Sequence, residues 1–313
     1  MSLGLTGGKG MIGSHLIHFF QGRTPEPIRA IVRSLSPADA SSMRDVDIVY
    51  GDLSSLHDCV AFASGLRTII YLAHTNTPIS SDADLPSDGA LNLIPLLTLI
   101  QAIKVSGNRP HLIYFSSGGA VYGPNPSRVP FRECDTCQPM SSYGIQKLAA
   151  EHYLRFAALR GILTATVLRV GNAYGKLLPN QRLQGLIGVA VNNLLHNRPL
   201  RIFGNPENVR DYVHLDDIAR MCETVLAPRE AFAVYNVGTG TGHSVREVLR
   251  IVAECLGRPL PDETPATTLD GAAGLPEWVV LDISKAKREL DWVPGIDLRT
   301  GILKVIQETS PAR

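Results

Sequence analysis

The amino-acid sequence predicts an α/β fold, with a Rossmann-type doubly wound parallel sheet and a smaller C-terminal α/β domain. Short apolar runs alternate with helical patterns through the first half of the chain, which is typical of a parallel sheet covered on both faces. A glycine-rich turn directly follows the first of these runs. We place the Rossmann domain at 1–175, with 209–240 partly returning to it, and the smaller domain at 176–208 and 241–313.

Six buried strands are expected in the first half of the chain. Each is a short, mostly apolar run without the alternation of a half-exposed strand. The strands are predicted at 3–5, 28–32, 48–50, 68–72, 111–115 and 164–168. The apolar stretch 90–103 is interpreted as a buried helix, because it is shorter than the roughly 20 residues that a membrane span requires.

Charge and cysteine content exclude several classes of protein. A formal net charge of +1 offers no field that would gather nucleic acid or an anionic membrane. Five cysteines and an opening apolar strand without a secretion signal favour a reducing cytoplasm. Cys134 and Cys137 form a C-x-x-C, but the second pair that a zinc site needs is absent, so we expect no metal.

The first candidate site is the turn at 6–16, where the first strand leads into a helix. Gly7 permits a tight turn, Gly10 lets the backbone approach a pyrophosphate, and Gly13 lets the helix pack closely on the strand. The N-terminus of that helix favours an anion. This position favours a dinucleotide site over the alternative of a plain structural turn.

Two positions after the next strands bear on the cofactor. NAD-binding versions of this fold usually carry an acidic residue at the end of the second strand, where this chain has Arg33 and Ser34. A cation and a hydroxyl suit the 2′-phosphate of NADP. Alternatively, Arg33 is a solvated side chain and NAD binds without it. Asp52 follows the third strand and is expected to accept a hydrogen bond from the adenine amino group, or else to cap the next helix.

The third signal is Tyr143 with Lys147 at the start of a predicted helix. A spacing of four residues puts the phenol and the ammonium on one helical face. We expect the positive charge to lower the pKa of the tyrosine, so that the phenol can exchange a proton with a substrate hydroxyl. The pair follows the strand at 111–117, which favours a redox role over chance spacing.

Taken together, these residues resemble the extended short-chain dehydrogenase/reductases, and among them the nucleotide-sugar (NAD-dependent) epimerase/dehydratase family, with UDP-glucose 4-epimerase-like members. The resemblance covers nearly the whole chain. It also includes the motifs at 115–123, 168–175, 209–217, 235–238 and 282–290.

The resemblance implies a role for each matching residue. Tyr143 would be the acid/base, and Lys147 would bind the nicotinamide ribose and tune Tyr143. Asn172 and Arg210 would hold the nucleotide diphosphate, and Gln184 would add a polar contact. The structural alternatives are a turn former for Asn172, a helix-surface residue for Gln184 and a salt bridge to a neighbouring aspartate for Arg210. The remaining expected cofactor contacts are Met11, Ile12, Leu53, Leu72, Ala73 and Ser116.

The chain departs from the family pattern at three places. The position that is normally the catalytic Ser or Thr is Gly118, so Ser117 or Ser116 would substitute, or this step is weakened. The acidic pair of sugar 4,6-dehydratases is replaced by Gly119 and Ala120, which argues against dehydration. The stretch 270–281 offers no arginine as a second diphosphate ligand.

These observations predict a nucleotide-sugar 4-epimerase that uses NAD or NADP and passes through a transient 4-keto sugar. The alternative is an NADPH-dependent nucleotide-sugar 4-ketoreductase, which Arg33 would favour. A dinucleotide-binding sensor without catalysis is the third reading, motivated by Gly118, but the retained Tyr143 and Lys147 argue against it. The resemblance also implies a homodimer, through the helices at 90–103 and 149–160.

Overall fold

The computed structural model describes residues 2–24, 27–76, 81–177, 185–200, 202–260, 266–267 and 276–309. In chain order, the strands are β1 (Leu3–Thr6), β2 (Ile28–Val32), β3 (Val46–Tyr50), β4 (Thr68–Tyr71), β5 (His111–Ser117), β6 (Thr164–Val170), β7 (Asn172–Tyr174), β8 (Ile202–Phe203), β9 (Val209–His214), β10 (Phe232–Val237), β11 (Gly242–Ser244), β12 (Ala266–Thr267) and β13 (Trp278–Val279).

The helices are α1 (Met11–Phe20), α2 (Pro37–Ser42), α3 (Leu56–Ala63), α4 (Leu85–Ser106), α5 (Gly118–Val121), α6 (Ser142–Leu159), α7 (Leu186–Leu195), α8 (Leu215–Thr224), α9 (Val245–Leu256), α10 (Ser284–Leu290) and α11 (Leu298–Thr309). A short 3-10 helix, Ser81–Ala83, precedes α4.

Seven strands form one parallel sheet in the order β10-β6-β5-β4-β1-β2-β3. The chain first builds outward from β1 to β3 and then crosses to the other side at β4, so the order reverses between β1 and β4. Ligands of doubly wound sheets bind at the carboxyl ends of the strands at such a point. The predicted fold class is confirmed, and the six predicted strands agree with the observed ones to within two residues at each end.

The last strand of the large sheet, β10, follows β7, β8 and β9 along the chain, so the chain leaves this sheet after β6 and returns to it later. The strand β10 pairs with β6, and Ala233, Tyr235 and Val237 join the core under the sheet. The strand β9, although it lies within the returning segment 209–240, pairs instead with β7, β11 and β13 in a smaller sheet. Ala286 of α10 also packs into the large-sheet core.

The helix α4 has 22 residues and is longer than its apolar centre at 90–103. Asp84 caps its N-terminus, where the Asp84 side chain accepts a hydrogen bond from the Ser87 amide, and Gly107 with φ 69° caps its C-terminus. By length and composition it would span a membrane. Its inner face packs against α3 and α6 and carries the buried polar residues Asp88 and Asn92, whereas Leu91 and Ile94 are exposed. The helix predicted to be buried is therefore buried on one face only.

Candidate active site

A cleft of about 290 Å³ opens at the carboxyl edge of the large sheet, where the strand order reverses. Ten of the residues expected from the sequence line it: Gly7, Gly10, Met11, Ile12, Gly13, Leu72, Ser116, Ser117, Tyr143 and Lys147. Its wall also contains four residues of the motifs at 115–123 and 168–175 to which no contact was assigned, Phe115, Val170, Gly171 and Ala173, and two that the sequence did not single out, His74 and Asn76. The cleft therefore unites the glycine turn with the Tyr-Lys pair.

The glycine turn leaves no room for side chains on its inner face. Gly7 has φ 71°, and a Cβ there would lie 2.9 Å from the backbone between Leu72 and Ala73. A Cβ on Gly13 would collide with the carbonyl oxygen of Gly7. Gly10 caps α1, so the first amides of this helix face the cleft without a side-chain cap. These features fit the pyrophosphate of a dinucleotide, which the backbone can approach closely.

Tyr143 and Lys147 lie on one face of α6, above the end of β5. The Nζ of Lys147 donates a hydrogen bond to the carbonyl of Phe115 at 2.8 Å and lies 5.5 Å from the centre of the Tyr143 ring. Burial lowers the pKa of Lys147 to about 7, although the nearby carboxylate of Glu151 raises this pKa. Both groups therefore project into the cleft from one rigid helix, as their spacing predicts.

The pKa of the phenol differs from the expectation. Burial raises the pKa of Tyr143 to about 12, and the hydrogen bond with Ser117 acts in the opposite direction. The prediction that Lys147 lowers this pKa was wrong for the protein by itself, because the ammonium contacts the ring face and bonds Phe115 rather than the phenolic oxygen. A further positive charge in the cleft is needed to favour the phenolate.

The structure separates the two serines that compete for the role of the missing Ser or Thr. Ser116 donates its hydroxyl to Glu151 at 2.5 Å, whereas Ser117 interacts with the phenol of Tyr143. A Cβ on Gly118 would lie 2.7 Å from Cδ1 of the buried Leu281. The family's usual hydroxyl position is thus filled by a leucine, and Ser117 is the hydroxyl available beside Tyr143.

The start of α6 is held in place by a buried carboxylate that the sequence did not reveal. Asp88 of α4 accepts hydrogen bonds from the hydroxyl of Ser142 at 2.7 Å and from the side-chain amide of Gln146. Its other oxygen accepts from Asn76 at 2.7 Å and Asn92 at 2.8 Å. Because Ser142 directly precedes the catalytic candidate, Asp88 ties the position of the phenol to α4.

A second buried network lies behind Lys147. Glu151 forms an ion pair with Arg169 of β6, with Nη2 2.7 Å from Oε2 and both side chains buried. Arg169 also donates to the carbonyl of Glu133 at 3.2 Å. A carboxylate one turn beyond Lys147 on α6 is the sequence signal that would have pointed to this pair.

The expected adenosine contacts lie beyond the cleft lining, at the ends of β2 and β3. Arg33 is exposed, and its charge contributes to the lowered pKa of Asp52, although the largest cause is the hydrogen bonds from Ser54. Asp52 does not cap the next helix, because Ser55 takes that position. Lys9 of the glycine turn, which has no predicted role, donates to the carbonyl of Ser34 at 2.9 Å. Two cations therefore lie near the end of β2.

Leu53 and Ala73 take structural positions beside these contacts. The carbonyl of Leu53 accepts a hydrogen bond from the thiol of Cys59. The amide of Ala73 donates to the hydroxyl of Thr6 at 3.1 Å, which joins the end of β4 to the start of the glycine turn.

Of the three expected diphosphate contacts, the structure describes two. Asn172 lies in β7, opposite Tyr212 of β9. Arg210 lies in β9, where its Nη1 donates to the carbonyls of Val209 at 2.8 Å and Glu277 at 3.4 Å. Among the described residues, Arg210 forms no ion pair, which leaves its charge available to an anion. Gln184 lies outside the described residues.

Asp211 and Asp216, the neighbours that might have neutralised Arg210, have other partners. Asp211 accepts from the amides of Thr239 and Gly240, and Asp216 pairs with His15 and Lys304. The salt-bridge interpretation of Arg210 was therefore wrong.

Cys134 and Cys137 lie away from this cleft, and all five cysteines are free thiols. In the part of the chain that the structure describes, no group of three His, Cys, Asp or Glu side chains is arranged to hold a metal ion.

Comparison with known proteins adds a family and several relatives. A profile of the NAD-dependent epimerase/dehydratase family matches residues 4–238. A UDP-glucose 4-epimerase of Corynebacterium glutamicum is 30% identical over 96% of this chain and 93% of its own length. A dTDP-4-dehydro-6-deoxyglucose reductase of Escherichia coli is 30% identical over 82% of this chain and 78% of its own. The solved UDP-glucose 4-epimerase of Thermotoga maritima with UDP-glucose has a TM-score of 0.88 at 28% identity and covers 98% of both chains.

Proposed function

Because this chain belongs to the NAD-dependent epimerase/dehydratase family, we propose that it is a nucleotide-sugar 4-epimerase that works through a transient 4-keto sugar. The family confirms the predicted resemblance, the enzyme class and a nicotinamide dinucleotide as cofactor. The observation that carries the proposal is the shared cleft, in which Tyr143 and Lys147 face the glycine turn.

In the proposed reaction, Tyr143 takes the proton of the sugar 4-hydroxyl and later returns it. The bound nicotinamide supplies the chemistry of accepting a hydride from C4 and giving it back to the other face of the sugar. Ser117 holds the same hydroxyl, because it already pairs with the phenol. Lys147 would hold the nicotinamide ribose, and a bound oxidised nicotinamide would supply a positive charge that favours the phenolate, which the burial of Tyr143 otherwise opposes.

The substrate proposal rests on the diphosphate side of the site. Arg210 and Asn172 lie on neighbouring strands of the smaller sheet, and we assign to them, with Gln184, the nucleotide diphosphate. This gives the smaller domain the role of substrate binding. The relatives named for UDP-glucose make a UDP-hexose the first substrate to test.

The decisive experiment combines cofactor analysis with a substrate panel. Denatured protein should release NAD or NADP, and fresh enzyme should interconvert the 4-epimers of one sugar in a panel of UDP-, GDP- and dTDP-sugars without added cofactor. The Tyr143→Phe variant should lose at least about 100-fold in kcat, because it removes the acid/base. Unchanged activity of that variant would refute the proposal.

A second candidate function is an NADPH-dependent nucleotide-sugar 4-ketoreductase. Two observations favour it: the exposed Arg33 with Lys9 at the end of β2, and the relative named as a dTDP-4-dehydro-6-deoxyglucose reductase. A reductase would consume NADPH in a one-to-one ratio with a 4-keto sugar, whereas the epimerase needs none beyond what it retains. Absorbance of NADPH during turnover distinguishes the two.

We also propose a homodimer in the cytoplasm. Large apolar side chains are exposed on α4 and α6, the helices that the resemblance implies for the dimer: Leu91, Ile94, Val105, Ile145, Tyr153, Phe156 and Leu159. Two copies of such faces would bury apolar surface against each other. Sedimentation analysis should give a dimer, and Phe156→Glu should convert it to a monomer.

A further inference from the structure

His74 is a wall residue of the cleft that the proposed chemistry does not yet use. It lies three residues beyond the end of β4, next to the reversal point of the sheet. Its imidazole packs edge-on against the phenol of Tyr143, with ring centres 4.7 Å apart and planes at 88°. Its position therefore depends on the same side chain that would exchange protons with the substrate.

The imidazole has an unused hydrogen-bonding atom. Its Nε2 is inaccessible to solvent and has no hydrogen-bond partner among the described residues. A buried polar atom without a partner is energetically unfavourable, so such an atom in the wall of a cleft points to a partner that an occupant supplies.

The chemical state of the ring restricts what it can do. Burial lowers the pKa of His74 to about 2, and the charge of Lys147 acts in the same direction. The groups that face the ring are this ammonium and the phenol of Tyr143. The imidazole is therefore neutral near pH 7, with one donor and one acceptor nitrogen. It is suited to bind a hydroxyl, which also donates and accepts, and unsuited to bind an anion.

We propose that His74 is a ligand-contacting residue whose Nε2 hydrogen-bonds a sugar hydroxyl beside Tyr143. The hydroxyl belongs either to the hexose of the substrate or to the nicotinamide ribose of the cofactor, since both are ring alcohols that the proposed function brings next to Tyr143 and Lys147. The inference thus rests on that function and adds a residue to its binding site.

The variant His74→Phe tests this role, because phenylalanine keeps a ring against Tyr143 and removes the nitrogen. The matched control is His111→Phe. His111 is a buried histidine of the same sheet, but it lies at the opposite end, at the start of β5, and does not line the cleft. The variant His74→Gln, which restores a donor and an acceptor, tests for rescue.

Equilibrium titrations distinguish the two sources of the hydroxyl. NAD, UDP and UDP-glucose are each titrated into the wild type and into the variants. About a tenfold weaker binding is expected from the loss of one hydrogen bond of roughly 1.4 kcal/mol. If His74→Phe binds UDP-glucose more weakly but UDP with unchanged affinity, the hydroxyl belongs to the hexose. If the variant binds NAD more weakly, the hydroxyl belongs to the nicotinamide ribose. His74→Gln should recover part of the loss, and His111→Phe should bind all three ligands as wild type does.

Wild-type affinity of His74→Phe for all three ligands would overturn the inference, as would an equal loss in the folded His111→Phe control. A thermal unfolding curve confirms that each variant is folded. Failure of the proposed function has a different signature: wild type would bind no UDP-glucose or would epimerise no sugar in the panel, whatever the residue at 74.

Discussion

The close approach of Leu281 to Gly118 leaves no room there for the hydroxyl that the family pattern predicts. The missing hydroxyl is not compensated at the same position, because Leu281 occupies the space that a side chain would need. The available hydroxyl lies one residue earlier, at Ser117, at the end of β5. The register of the strand therefore determines which serine meets the phenol.

The variant Gly118→Ser is expected to destabilise the protein by about 1–3 kcal/mol, because its Cβ overlaps the buried Leu281. Urea unfolding measures the loss. The double variant Gly118→Ser/Leu281→Ala should lose less stability than the two single variants together, because the smaller side chain relieves the overlap. Simple additivity would contradict this account.

The burial of Lys147 in the cleft reduces stability. Its pKa falls from an ordinary 10.5 to about 7 on folding, so between these values the unfolded chain binds the proton more tightly. The free energy of unfolding should therefore rise with pH from about 7 to 10.5.

The variant Lys147→Met should be more stable than wild type at pH 7 and below, and this gain should shrink toward pH 10.5. Urea unfolding of cofactor-free protein at several pH values checks the trend. The exposed Lys104 on α4 provides the control, because Lys104→Met should change stability little at any of these pH values. A gain that does not depend on pH would contradict the titration argument.

At the scale of the elements, the site depends on how α4 and α6 pack. Asp88 of α4 accepts four side-chain donors, two of them from the first turns of α6. The helix that carries Tyr143 is thus positioned by a neighbouring helix as well as by its own cap at Ser141.

The variant Asp88→Asn should lower kcat at least about tenfold and reduce stability by about 1–3 kcal/mol. The NH2 group of asparagine is itself a donor, and it would replace a carboxylate oxygen that accepts hydrogen bonds. Steady-state kinetics should show less change in KM than in kcat. Asp84→Asn is the matched control, since this exposed cap of α4 tolerates asparagine. Equal effects of both variants would exclude a specific role of Asp88.

At the scale of the whole molecule, the binding sites are distributed along the edge of the large sheet. The glycine turn and the Tyr-Lys pair share the cleft, whereas Arg33 and Lys9 lie farther along, at the end of β2. The smaller sheet brings Asn172 and Arg210 from the other side. The residues proposed for cofactor identity and those proposed for substrate binding therefore lie in separate regions.

The variant Arg33→Ala should weaken NADP at least about tenfold and leave NAD unchanged, because a charge-assisted hydrogen bond to the 2′-phosphate is worth about 1.5–3 kcal/mol. Thermal shifts at increasing cofactor concentration report both affinities, since a bound ligand stabilises the folded state. Equal losses for the two cofactors, or none, would show that Arg33 does not contact the 2′-phosphate.

The sequence by itself determined the sheet, the glycine turn and the pairing of Tyr143 with Lys147. Each depends on local periodicity: apolar runs form buried strands, and four-residue spacing gives one helical face. The strand bounds and the placement of these residues at one cleft followed from this pattern.

The tertiary structure alone decided the pairing of β9 in the smaller sheet, the overlap at Gly118 and the burial of Asp88 and of the Nε2 atom of His74. It also decided the pKa of Tyr143. Burial raises this pKa, whereas the sequence predicted that Lys147 would lower it. These features depend on which distant segments meet and on how much water they exclude. Electrostatic energies depend on that burial, and no spacing along the chain encodes it.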